Sequence, residues 1–259
     1  MTRSLGRRPL LGLLAATAAL PAGAQDAALP SPQDGAGGLT ILFCGDSLAQ
    51  GLYLASLPAL RRQRELKLVN GTRHATGLTR ADEYDWVEAV REAATRTRPH
   101  LMVAWIGAND FRPMVDRATR RRFPFGSPAY AEAYAARVAA MAEHARASGA
   151  VVAWLGLPNM REPGFAQFAR QLNEIQERGA RAGGALWVPS WDATSDPEGQ
   201  FRASLAGTDR VERRLRADDG VHFSELGYRA IAKLAFTAVA VETPVLALPL
   251  AAAGAALAA

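Results

Sequence analysis

"LTILFCGDSLAQG", residues 39–51, joins a continuous apolar run to a glycine, an acid and a serine. The run is short, carries no strict alternation and ends at a turn-prone Gly45-Asp46, so it reads as a strand covered on both faces. Ser47 stands where a helical pattern begins. A serine there has two readings: the cap of the next helix, or a nucleophile offered at the end of a strand. The surroundings have to decide between them.

The same rhythm returns along the chain. "LKLVNGT" (66–72), "HLMVAWIG" (100–107), "AVVAWLGLP" (150–158) and "ALWVPSW" (185–191) are further short apolar runs. Between them, "EYDWVEAVREAATRT", "PAYAEAYAARVAAMAEHARASG" and "GFAQFARQLNEIQERGARAGG" place apolar residues at three- and four-residue spacing. Gly149 closes the second of these. "SELGYRAIAKLAFTAVA" is a last helix with Ser224 as its N-cap. Five strands alternating with helices predict an α/β sandwich around a parallel sheet, one domain over residues 39–241. No repeat period is present, which excludes solenoids and propellers.

Of 259 residues, 49% are hydrophobic, enough for a sizeable core. The first 24 residues have a basic start, an apolar middle from Pro9 to Leu20 and the small-residue ending Ala22-Gly23-Ala24. This is the pattern of a secretory signal, too short to span a bilayer. The Arg7-Arg8 pair permits a twin-arginine export route. Export predicts a periplasmic or secreted protein, with no stable membrane insertion after cleavage. Residues 25–38 read as a Pro/Gly linker. Residues 242–259 read as an Ala-rich, low-complexity tail that frays or packs loosely, interrupted by Pro244 and Pro249. The formal net charge of +5 includes Arg3, Arg7 and Arg8; without that segment it falls to +2. The basic pI is therefore no argument for nucleic acid. The one cysteine, Cys44, excludes an internal disulfide and sits in strand-like surroundings as a small hydrophobe.

In a parallel α/β sheet, ligands bind beyond the carboxyl ends of the strands. The first strand is followed by Gly45-Asp46-Ser47 and the second by a loop containing His74 and Gly77. The third ends in Gly107-Ala108-Asn109-Asp110, and "ADDGVH" precedes the last helix. Four segments thus bring polar or glycine residues to one edge. There His222 is the best-placed base for Ser47, and Asp219, three residues earlier, can turn back to hold its Nδ1 hydrogen. The N–H groups of Ser47 and Gly77 and the Asn109 amide would serve as oxyanion donors, Gly77 because a residue without Cβ lets the backbone come close.

"GDSLAQG", the Gly77 loop, "GAND" and "DGVH" resemble, in order, the four motif blocks of the SGNH/GDSL hydrolase superfamily. "TGLTRADEYDW", "VAWLGLPNMR", "QLNEIQER" and "RADDGVHFSELGYR" look like one branch of exported bacterial proteins without an assigned substrate. The resemblance implies a flavodoxin-like three-layer α/β/α fold. It also implies Ser47 as nucleophile, Asp219 and His222 as the rest of a triad, and Gly77 and Asn109 beside Ser47 as oxyanion donors. The expected activity is ester hydrolysis on a small-molecule or glycan acyl ester, with O-acyl transfer or deacetylation of envelope polysaccharide or peptidoglycan as the alternative. A non-catalytic carbohydrate-binding protein is the distant one.

Other polar residues have plainer readings. Asp46 is expected to hydrogen-bond within its loop, Asn109-Asp110 also suits a turn, and Asp218 is a rival to Asp219 at the wrong spacing. His100 and His144 read as structural. Asp110, Asp219 and His222 lack any metal-ligand spacing, and no phosphate-binding loop is present, so neither metal nor cofactor is expected. Arg117 and Arg120–Arg122 read as a solvated loop, or as a rim steering anionic substrates.

Overall fold

In the computed structural model, residues 38–206 and 210–258 are described. The signal segment, and the linker up to residue 37, lie outside them. Five strands form one parallel sheet in the order β2-β1-β3-β6-β7. They are β1 (Leu39–Gly45), β2 (Leu66–Thr72), β3 (Leu101–Trp105), β6 (Val151–Leu155) and β7 (Leu186–Val188). Each falls within an apolar run singled out from the sequence. β1 and β3 are buried at every position, as central strands covered on both faces must be. The edge strand β2 is only half-buried, which explains its more polar run.

Helices α1 (Ser47–Leu60), α5 (Glu225–Glu242) and α6 (Pro244–Ala258) cover one face; α2 (Trp86–Thr97), α3 (Pro128–Ala147) and α4 (Pro163–Ala182) cover the other. This is the flavodoxin-like three-layer sandwich. Trp86, Trp105, Trp154, Phe43, Phe168 and Phe236 fill the two cores and are fully buried. Ser224 caps α5 by accepting the Gly227 N–H at 3.1 Å, as its sequence position predicts. Cys44 is buried, and burial pushes its thiol up to about 12, which leaves it inert.

The expectation of a loosely packed tail is corrected. Residues 244–258 form α6, which buries Leu246, Leu250, Ala253 and Leu257 and packs along α5. Pro244 occupies the first turn, where its missing N–H costs nothing. At the far end, Arg229 donates to the Leu257 carbonyl at 3.0 Å and satisfies one of the open carbonyls of the last turn. Among the described residues no helix is long and apolar enough to cross a membrane.

Two small hairpins had no signal in the sequence. β4 (Met114–Val115) pairs with β5 (Arg122–Phe123), and β8 (Ser204–Ala206) with β9 (Glu212–Arg214). The second lies in the long stretch 192–221, and leads into the turn that carries Asp219 and His222.

Candidate active site

β1 ends at Gly45, whose φ of 134° and close approach to the Trp105 carbonyl, 2.0 Å from where a Cβ would stand, exclude any other residue. The chain then turns into α1. The helix cap is Asp46, not Ser47: Asp46 Oδ1 accepts the Leu48 N–H at 2.9 Å. Its other oxygen accepts the N–H groups of Gly107 at 2.9 Å and Ala108 at 3.0 Å. Asp46 is thus the structural hydrogen-bonder expected from the sequence, and it ties the end of β1 to the end of β3. Burial pushes its carboxyl up to about 7, against the pull of those three N–H donors. Relieved of capping, Ser47 sits at the first helical position, with its hydroxyl partly exposed.

The turn after β9 brings the other two residues to it. Ala217 N–H bonds the His222 carbonyl at 2.9 Å, and Gly220, at φ 71°, closes the bend. Asp219 at its tip accepts the N–H groups of Val221 and His222 on Oδ1, at 2.8 and 2.9 Å. Its Oδ2 lies 2.6 Å from His222 Nδ1, and His222 Nε2 lies 2.8 Å from Ser47 Oγ. Ser47, His222 and Asp219 are therefore linked in one hydrogen-bonded chain across 175 positions of sequence. Desolvation works against the Asp219 carboxylate. The His222 ring and the two N–H donors outweigh it and hold the group down at about 2.

The rival Asp218 points away: its side chain is 92% exposed and paired with Arg214. His74 is exposed and makes no hydrogen bond among the described residues. His100 accepts the Thr40 N–H through Nδ1 at 3.0 Å, a structural role as expected.

The main-chain N–H groups of Ser47 and Gly77 have no acceptor among the described residues. Asn109 donates one Nδ2 hydrogen to the Thr76 carbonyl at 2.9 Å, which orients the amide and leaves its second hydrogen free. Thr76 and Asn109 thereby join the Gly77 loop to the end of β3. A Cβ at Gly77 would stand 2.1 Å from Asp110 Oδ1, so glycine here makes room for a carboxylate behind the loop.

That carboxylate was not singled out as a structural centre by sequence. Asp110 is fully buried and accepts the Leu78 N–H, the Thr79 N–H and hydroxyl, and the Tyr134 hydroxyl, at 3.0, 3.0, 2.7 and 2.7 Å. With both oxygens so engaged it is neither a simple turn residue nor free to bind a metal. Gln176 extends the network, donating to the Ile106 carbonyl at 2.7 Å and to the Tyr134 hydroxyl at 3.2 Å.

Arg216 was missed altogether. It is 1% exposed, without a carboxylate partner among the described residues, between the rings of Phe201 and Phe223 at 4.8 and 4.2 Å. Its guanidinium donates to the carbonyls of Asn159 (2.6 Å), Gly220 (3.1 Å), Val221 (3.0 Å) and His222 (3.3 Å). Burial lowers its pKa to about 10, still charged at neutral pH. Arg216 therefore fixes the turn that carries Asp219 and His222. Nothing marks it among 28 arginines in the sequence. The Arg117–Arg122 segment is mostly exposed, and Arg117 and Arg120 each reach an acid, Asp85 and Asp82, at 3.4 Å.

Sheet order, layers and the serine at the end of the first strand define the fold as that of the SGNH/GDSL hydrolases. Residues 40–238 match the family described as "Protein of unknown function (DUF459)", and the chain belongs to that family. No curated protein is similar at a significant level. Solved structures of similar fold include TesA, at 16% identity and a TM-score of 0.52, covering 80% of this chain and 99% of that one. A GDSL-like lipase from Bacteroides thetaiotaomicron is 17% identical, with a TM-score of 0.50 and coverage of 80% and 87%. A catalytic mutant of an acetylxylan esterase from Geobacillus stearothermophilus is 16% identical, with a TM-score of 0.51 and coverage of 78% and 94%.

Proposed function

We propose that the protein is an exported serine esterase that cleaves short acyl groups, acetyl first among them, from a carbohydrate alcohol. The observation that carries this reading is the unbroken Ser47–His222–Asp219 chain at 2.8 and 2.6 Å. His222 Nε2 takes the Ser47 proton as the hydroxyl oxygen attacks the ester carbonyl, and Asp219 stabilises the imidazolium that forms. The oxyanion is received by the Ser47 and Gly77 N–H groups and the free hydrogen of Asn109, at the positive end of α1. His222 returns the proton to the leaving alkoxide, and water then releases the acyl group from Ser47 by the same steps. The names of the similar structures, a lipase and an acetylxylan esterase, support ester cleavage and a small acyl group. Transfer of that acyl group to a sugar hydroxyl would use the same residues, and is the second reading. Export rests on the pattern of residues 1–24.

A fluorophosphonate probe followed by mass spectrometry is expected to label Ser47 alone, and Ser47→Ala to abolish both labelling and p-nitrophenyl acetate turnover. An adduct elsewhere, or labelling that survives the substitution, would discard this nucleophile. Acyl-sugar product formed in the presence of a sugar acceptor would favour transfer. Finding the full-length chain in the cytosolic fraction of its host would overturn export.

A further inference from the structure

Beyond β6 and β7, at the same carboxyl edge of the sheet as Ser47, a groove of about 320 Å³ opens between the start of α4 and the 191–202 loop. Its size is at the lower end for small-ligand sites, about 300–1,000 Å³. Arg161 and Arg170 line it, with Trp191, Phe201, Gln167 and Gln200, and no acidic residue does. The Arg170 guanidinium lies over the Trp191 ring at 4.5 Å, and that of Arg161 over Phe201 at 5.2 Å. A guanidinium resting on a ring keeps its N–H edge available, and that edge fits a carboxylate with two parallel hydrogen bonds; Arg170 has no side-chain hydrogen bond among the described residues, and Arg161, with Nη1 on the Asp218 carbonyl, keeps Nε and Nη2 for such a pair. Neither arginine has an ion pair among the described residues. In the adjoining space Arg202 adds a third cation, while Asp196 turns its carboxylate to the N–H groups of Glu198 and Gln200. Asp192, exposed, is the remaining acid there.

The groove is also joined to the candidate active site. Arg161 N–H bonds the Gly220 carbonyl at 3.2 Å, its guanidinium bonds the Asp218 carbonyl, and Arg216 reaches Asn159 at 2.6 Å. A wall of the groove is thus hydrogen-bonded to the turn that carries Asp219 and His222.

We infer that this groove is a subsite for a carboxylate-bearing sugar, so that the ester substrate is an acidic glycan. The carboxylate sits on Arg161 and Arg170, the sugar ring lies against exposed aromatic edge, and the amides of Gln167 and Gln200 meet its hydroxyls. As a statement about substrate it rests on the esterase reading; as a statement about binding it stands alone, and the test separates the two.

Calorimetric titration of the purified protein with unacetylated tri-galacturonate and with neutral xylotriose reads binding without turnover. The acidic trimer is expected to bind at least about tenfold more tightly than the neutral one, and more weakly in about 0.5 M salt. Arg170→Glu, a surface change, should weaken it a further tenfold or so while leaving p-nitrophenyl acetate turnover within about twofold. Equal binding of the two trimers, no binding of either, or an Arg170→Glu variant that binds as before would overturn the subsite. So would a parallel fall in turnover in that variant, since it would place Arg170 in the site itself. Absence of any turnover in the unmodified protein would instead sink the esterase reading and leave the binding result standing.

Discussion

The two halves of the candidate site are held by buried groups of opposite kind, acids on one side and a guanidinium on the other. On the side of Ser47, Gly77 and Asn109, two carboxylates collect donors: Asp46 takes three main-chain N–H groups and Asp110 four donors. On the side of Asp219 and His222, one guanidinium collects four carbonyls. The difference follows from local backbone geometry. Strand ends that turn into helices leave N–H groups pointing outward, and a carboxylate with two acceptor oxygens can gather several of them at once. A tight turn such as 216–222 gathers its carbonyls inward, and a guanidinium with five donors can satisfy several of them at once. The first half is welded to the sheet, while the second is a turn pinned from within, with its outer residues exposed.

This contrast can be broken at either half. The largest effect is expected for Asp110→Ala, which strands buried donors of Leu78 and Thr79 and the Tyr134 hydroxyl. A loss of about 3–5 kcal/mol in urea unfolding is expected, and a loss below about 1 kcal/mol would show that the carboxylate is not the anchor. Next, Asn109→Ala should lower kcat about a hundredfold or more with little change in stability; a change under threefold would remove Asn109 from oxyanion binding.

Arg216→Lys is expected to lower kcat by roughly tenfold, mainly at kcat and not at KM, because an ammonium cannot span four carbonyls as a planar fork does. Unchanged kcat would mean that the turn holds Asp219 and His222 without it. The smallest effect distinguishes the halves by pH. Asp219, held near 2 when folded and near 3.9 when unfolded, adds stability above that unfolded value. The contribution is lost as pH falls from about 4 to about 2. Asp46, raised to about 7, has the opposite sign: the folded state binds the extra proton, so stability declines as pH rises from about 4 to about 7. Asp219→Asn should erase the acid-side step alone, and Asp46→Asn the neutral-side decline alone, in denaturation series across pH. A single profile unchanged by either substitution would refute the assignment.

Much of this is legible in the sequence. Buried strands announce themselves by continuous apolar runs, so β1, β3 and β6 lie within their expected bounds, and the turn residues after them locate the functional edge. The tail misled because Pro244 and Pro249 outweighed a helical spacing, Leu246, Leu250, Ala253 and Leu257, that was there to be read. β8 and β9 are three residues each, too short to leave a period.

Residue types and order alone determined a parallel α/β sheet and which serine, histidine and aspartate could meet, since both depend on local pattern and on where strands end. Tertiary structure decided which acid caps α1, why position 77 has no side chain, and that Arg216, among the arginines of the described residues, lies in the interior. Those outcomes depend on which backbone groups from distant segments are left without water, and sequence spacing carries no record of that.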